Sequence, residues 1–406
     1  MRRLIALVPV TVLLGLAACG GSDSTIATSP SEPTPPISSS GANVASITVG
    51  AGPSAPSIIS ANTAFVSVTI CAPGSTTNCQ TIDNIQVDTG SAGLRIFSSV
   101  LSSSIALTQE NDTNGDGGPV VECTAFADGV SWGPVKMANV QIAGETAASI
   151  PIQVIGDPAF PTPPNACLAM GPTEEDTVAT FGANGLLGVG PFVLDGQDYY
   201  ACPEGTCSQA SADVQQVANP VASFPVDNNG VIVELAGIPG GVATSPTGSL
   251  VFGIGTESNN GLGSATIYSL DPVYGAYITV GFNGTSFPMS FIDSGSNSIN
   301  FVDSAIPTCS GSSGASNFYC PSSTISDLMA TNTGANGATS SATFSVANAA
   351  DLFNNNPNAT AFLELAGPNP FPSSFDWGLP FFFGKNVFTA ISGDSTPGGD
   401  GPYVAY

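Results

Sequence analysis

The stretch IQVDTGSAGLRI at residues 85–96 returns, about half a chain later, as SFIDSGSNSINF at residues 290–301. Each copy is an apolar run, then Asp, Thr or Ser, Gly, Ser, and a second apolar run. That order predicts a strand, a tight turn at the Asp and an exit strand. Gly90 and Gly295 allow the backbone to turn where a side chain would clash. One copy alone reads as an ordinary turn with Asp as turn former. Two copies place Asp88 and Asp293 as a candidate pair. Like charges at close range cannot both ionise, so one carboxyl keeps a proton while the other is charged. Such a pair can activate a water and protonate a leaving group.

Composition excludes most other chemistries. The chain has no histidine, which removes Ser-His-Asp triads, Cys-His dyads and histidine-ligated zinc. Thirty acids face five cations, and only Arg95, Lys136 and Lys385 lie beyond the first few residues. A surface so acidic repels nucleic acid and anionic lipid heads, so neither is expected as a partner. The 42% hydrophobic content and 22 Phe argue for a packed core.

The first residues, MRRLIALVPVTVLLGLAACGGS, pair Arg2 and Arg3 with an apolar run too short to span a bilayer. Leu16-Ala17-Ala18-Cys19 resembles a bacterial lipobox. The expectation is a signal peptide over 1–18, lipidation at Cys19, and outer-membrane sorting because Gly20 follows. The alternative is a plain signal peptide with an incidental cysteine. Residues 20–42, rich in Ser, Thr, Pro and Gly, extend the lipidated stretch 19–42 as a tether that cannot bury a core. Folded lobes are expected at 43–238 and 239–406.

Eight cysteines besides Cys19 suit an oxidising compartment. About a hundred pairings are open to eight cysteines. Short loops suggest Cys71–Cys79, Cys202–Cys207 and Cys309–Cys320, leaving Cys123–Cys167. Short strands recur along the chain (NVASITVG, AFVSVTI, TIDNIQV, VIVEL, SLVFGIG, AYITVGFNG), which predicts a mostly β fold. Helical pattern is expected only at Val214–Asn219 and Ile325–Met329. Asp112, Asn114 and Asp116 match the start of a calcium loop, but the position for a bidentate Glu is Cys123, so a solvated acidic turn is the reading and no metal is expected.

In this order the motifs resemble those of a pepsin-like aspartic peptidase. That family carries an apolar-apolar-Gly element beneath each Asp loop; Leu186-Leu187-Gly188 and Phe382-Phe383-Gly384 are the matches here. The chain also resembles a family of bacterial lipoproteins of unknown function built on the same paired motifs. The resemblance implies two β lobes around a central cleft, no cofactor and a polypeptide substrate. It makes Asp88 and Asp293 the catalytic pair, with Thr89 and Ser294 exchanging hydrogen bonds beneath and Ser91 and Ser296 each bonding its own Asp. A flap hairpin maps onto TAFADGVSWG, implying substrate contacts at Phe126, Gly129, Trp132 and Arg95. Phe126 stands where the family has Tyr. Arg95 stands where it has Trp, a cation expected either to lower the pair's pKa or to form a salt bridge elsewhere. Two functions stay open: an aspartic endopeptidase, or a non-catalytic cell-envelope lipoprotein that binds a peptide or glycan in the cleft. Either is expected as a monomer that meets the membrane through its lipid anchor alone. A solute-binding protein would need alternating α and β segments, which are absent from the pattern.

Overall fold

The computed structural model describes residues 37–38, 40–53, 60–115, 117–271, 277–311 and 314–406. The signal peptide, Cys19, most of the tether and Asp116 lie outside them. Among the described residues strands dominate, in two large sheet systems and two small two-stranded sheets. Seventeen strands form one hydrogen-bonded system, drawn from residues 44–252 and from three late strands, Ile267–Ser269, Asn386–Ala390 and Tyr403–Ala405. Seven strands between residues 278 and 377 form the other. Each large system presents one Asp loop, which gives the mostly β, two-lobe architecture its central junction.

The two Asp strands are built alike. Cys79–Asp88 turns at Thr89–Ser91 into Ala92–Phe97, and Gly185–Val189 fits between the two. It runs parallel to the first, with Gly188 beside Asp88, and antiparallel to the second, with Leu187 beside Leu94. In the second copy Thr285–Ile292 turns into Ile299–Phe301, and the inserted strand is Asp376–Trp377, with Trp377 beside both Ile292 and Ile299. The element under the second loop is therefore Asp376-Trp377-Gly378, not Phe382-Phe383-Gly384. Gly378 is required there because a Cβ would fall 2.1 Å from the Ser298 carbonyl oxygen, as a Cβ at Gly188 would strike the Ala92 backbone. Phe382 instead ends a buried 3-10 turn, Leu379–Phe382, and Phe383 caps it before the strand at Asn386. An acid at 376 breaks the apolar-apolar-Gly pattern there, so the element does not match the motif by residue type.

Neither expected helix forms. Residues 214–217 have no regular structure, and Ile325–Thr333 is a strand paired with Thr339–Val346. Cross-strand pairing overrides a short local pattern there. Among the described residues the longest helix is Ala349–Asn355, capped by the Asn348 side chain on the Asp351 amide. Among the described residues no helix is long and apolar enough to cross a membrane.

The eight cysteines pair as Cys71–Cys79, Cys123–Cys167, Cys202–Cys207 and Cys309–Cys320. Cys123–Cys167 closes by far the longest loop, 44 residues against 5 for Cys202–Cys207. It ties a hairpin strand to the short helix Asn165–Leu168. Loop-closure entropy then ranks the bonds. Replacing Cys123 and Cys167 by Ala is expected to cost about 4 kcal/mol in urea unfolding, against about 2 for Cys202 and Cys207. Equal or reversed losses would contradict that ranking.

Candidate active site

Two loops from different sheets lock together through hydroxyl groups. The Thr89 amide donates to Ser294 Oγ at 3.1 Å, and the Ser294 amide donates to Thr89 Oγ1 at 2.9 Å. Each hydroxyl then donates onward to the opposite strand: Thr89 to the Ile292 carbonyl at 3.2 Å, Ser294 to the Val87 carbonyl at 2.9 Å. Thr89 and Ser294 are buried, so these four bonds meet no water. Gln86 adds a fifth tie, its amide donating to the Gly295 carbonyl at 2.8 Å.

The lock brings the carboxylates together. Gly90 N–H donates to Asp88 Oδ1 at 2.7 Å and to Asp293 Oδ1 at 3.1 Å. Gly295 N–H donates to Asp293 Oδ1 at 2.7 Å. A Cβ on Gly90 would lie 2.7 Å from the Asp293 carboxyl carbon, and one on Gly295 2.7 Å from that of Asp88. Only glycine lets each loop approach the other's acid so closely. The outer oxygens are held by Ser91 Oγ, 2.5 Å from Asp88 Oδ2, and Ser296 Oγ, 2.9 Å from Asp293 Oδ2. Asp88 is buried, whereas Gly90 is exposed and Asp293 and Ser296 are partly so. The pair thus lies at the floor of an opening to solvent. Loss of water and the adjacent Asp88 charge push the Asp293 carboxyl well above the usual range. One carboxyl keeping its proton beside another is the condition for paired acid and base work.

A hairpin comes within electrostatic reach of this floor. Gly118–Ala125 and Val130–Ile142 pair antiparallel, and the turn between them is closed by the Phe126 amide on the Gly129 carbonyl at 2.8 Å. The Asp88 charge helps raise the Asp128 carboxyl at that turn, after loss of solvation. Phe126 packs edge-on against Phe181 and lies 5.9 Å from the Arg95 guanidinium. Gly129 is needed because Glu175 fills the space a Cβ would take.

Two side chains expected against substrate lie elsewhere. Trp132 is only 2% exposed, sits among Tyr200 and the Cys123–Cys167 bond, and donates Nε1–H to the Phe160 carbonyl. Arg95 is fully buried; one of its terminal nitrogens lies 2.7 Å from both Glu122 and Asp195. Its other donors reach Thr124 and the Ala92 carbonyl. Two acids hold its charge, so of its two expected roles Arg95 takes the salt bridge away from the pair and braces the underside of the hairpin. Sequence alone could not assign those partners, which lie 27 and 100 residues away. The calcium-like turn is also spoken for: Asp112 accepts from the Asn114 amide and from both the amide and hydroxyl of Ser211, and Asn114 donates to Asp213.

The residue that motif reading missed is Asp376. It is 4% exposed, and its Oδ2 accepts from Asn300 Nδ2 at 3.0 Å. A signal was present: Gly188-Val189-Gly190-Pro191-Phe192 and Gly378-Leu379-Pro380-Phe381 share a Gly, an apolar residue and Pro-Phe.

Two outcomes are expected from these charges. Arg95→Met leaves Glu122 and Asp195 buried without a counter-ion and should cost about 3–5 kcal/mol of stability, measured by denaturant unfolding. An unchanged midpoint would show that the ion cluster carries no such burden. Burial raises Asp176 to about 6, Asp376 to about 7 and Glu175 to about 8. The ordinary values are 3.8 for Asp and 4.5 for Glu. The folded state therefore binds these protons more tightly than the unfolded chain does. Stability is highest below the ordinary values and is lost as pH rises through about 6 to 8. Asp112, lowered by its Ser211 bonds, works in the opposite sense. Thermal scans should show Tm falling across that window; a flat or rising Tm would contradict the assignment.

Among curated proteins none matches the chain. A crystal structure of an aspartic proteinase from Irpex lacteus is similar at 16% identity and a TM-score of 0.49, covering 89% of this chain and 96% of that one. The family model described as protein of unknown function (DUF3443) matches residues 39–406, nearly the whole chain, and the protein belongs to that family.

Proposed function

We propose that this protein is an aspartic endopeptidase, hydrolysing peptide bonds with a water held between Asp88 and Asp293. The observation that carries the reading is the reciprocal lock between the Asp loops, which sets each carboxylate against the other's glycine. With Asp293 holding a proton, the partner carboxylate can take one from a bound water. The protonated acid can polarise the scissile carbonyl. As the tetrahedral adduct collapses, the pair returns a proton to the leaving nitrogen, and the shared proton is restored. Both acid and base come from the pair, so neither metal nor cofactor enters the reading. Residues 43–238 and 239–406 are read as the lobes that contribute one Asp each. Phe126 at the hairpin turn is read as an apolar lid over a polypeptide substrate, without the hydroxyl of a Tyr.

The wider setting belongs to the same proposal. The leader and Cys19 motif support an exported lipoprotein of the outer membrane, acting as a monomer. Four disulfides among the described residues suit an oxidising compartment.

The test is digestion of a mixed peptide library between about pH 3 and pH 7, with wild type beside Asp88→Asn and Asp293→Asn. Each substitution should lower turnover roughly a thousandfold, because one amide cannot move protons in both directions. Chelators should change nothing. If folded wild type cuts no peptide that Asp88→Asn leaves whole, the peptidase reading fails, and the cleft is then a binding site for a peptide or glycan.

A further inference from the structure

The two Asp loops are alike in backbone but differ one step behind the acid. In the first, the strand register sets Leu186 beside Arg95. In the second, the corresponding pair is Asp376 beside Asn300. An apolar position in one half is a buried carboxyl in the other. Asn300 satisfies Asp376 Oδ2, while Asp376 Oδ1 is buried with no hydrogen-bond partner. An ionised carboxylate with a bare, buried oxygen is costly; a neutral carboxyl is not, because the bare atom can carry the proton and donate it.

Burial raises Asp376 to about 7; hydrogen bonding with Ser296 and Asn300 lowers it, and the Asp88 charge raises it. Asp376 in turn is among the charges that raise Asp293. Facing it from the Asp loops are thus Asp88, Asp293 and the Ser296 hydroxyl; from the neighbouring strand, the neutral Asn300. Lys385, the only cation in residues 239–406, is held at the Phe381 carbonyl and ring. Ser296 Oγ already donates its proton to Asp293 Oδ2. The backbone brings Asp376 to the pair: it lies beside Phe291 in the sheet, and the next residue, Trp377, accepts the Asp293 amide on its carbonyl at 3.0 Å.

We propose that Asp376 is a third, proton-holding carboxyl of this site, a positioning residue that acts through Asp293 to keep the shared proton of the pair in place toward neutral pH. This rests on reading Asp88 and Asp293 as a proton-sharing pair. As pH rises, the second proton of the three acids goes to solvent from Asp376. The negative charge left there opposes loss of the remaining proton from Asp293. The pair thereby stays singly protonated over a wider range.

The experiment uses the full protein and two substitutions. Asp376→Asn keeps shape and neutrality; Asp376→Leu copies the first half. Carboxyl-region infrared difference titrations, with Asp293→Asn to assign the Asp293 band, read the protons directly. At about pH 6 wild type should hold one more protonated carboxyl than Asp376→Asn. In both variants Asp293 should lose its proton roughly one pH unit lower. The alkaline limb of kcat/KM should move down by the same amount. A merely structural role would lower kcat/KM at every pH and leave the limb in place. The proposal is overturned if Asp293 titrates identically in the folded variants, or if Asp376 is already ionised at about pH 5. If wild type shows no Asp88-dependent cleavage, the peptidase reading falls, and the infrared shift still decides the role of Asp376.

Discussion

Four hydrogen bonds between Thr89, Ser294 and the strands behind them hold two loops that would otherwise separate. Each loop carries an acid, and bringing the two together out of water costs free energy in desolvation and repulsion. What offsets the repulsion is a buried, reciprocal set of neutral hydrogen bonds in which every hydroxyl both accepts and donates. Removing one hydroxyl would leave a buried amide and a buried carbonyl unpaired together, which costs more than an average bond. The glycines matter for the same reason. Gly90 and Gly295 allow the approach, and Gly188 and Gly378 allow the supporting strands to lie flush beneath.

The two halves use this frame differently. Behind the first loop, Arg95 spends its donors on Glu122, Asp195, Thr124 and a carbonyl, so a buried cation is satisfied by structure and not by the reacting acids. Behind the second, Asp376 and Asn300 form a smaller polar pair with one oxygen left over. The first arrangement stiffens the base of the hairpin. The second touches the proton balance of the site. A two-fold repeat in backbone therefore does not imply a two-fold repeat in chemistry.

Acidity runs through the whole molecule. Several buried or half-buried carboxyls are raised, chiefly by loss of water, and the surface carries few cations to relieve them. Such a protein binds protons on folding and is suited to acidic surroundings. Proton uptake by the site and proton uptake by the fold have a common origin in desolvated carboxyls.

The residue pattern alone pointed to the paired Asp loops and the predominance of strands, and short loops suggested three of the cysteine pairs without fixing the pairing. Those features are local: a turn needs Gly and Asp in a row, a strand needs its alternation, a short disulfide needs neighbours. The hairpin with Phe126 at its turn was legible for the same reason. Partners far apart in the chain were not. That Arg95 meets Glu122 and Asp195, that Trp132 turns into the core, and that Ile325–Thr333 forms a strand depend on which segments pack together. The element beneath the second loop shows the limit most clearly. An acid broke the expected apolar pattern at residue 376, and only the parallel register of Trp377 with Ile292 brought it under Asp293. A buried charge cannot be inferred from polarity in a sequence, because its cost is met by groups that only the tertiary fold places beside it.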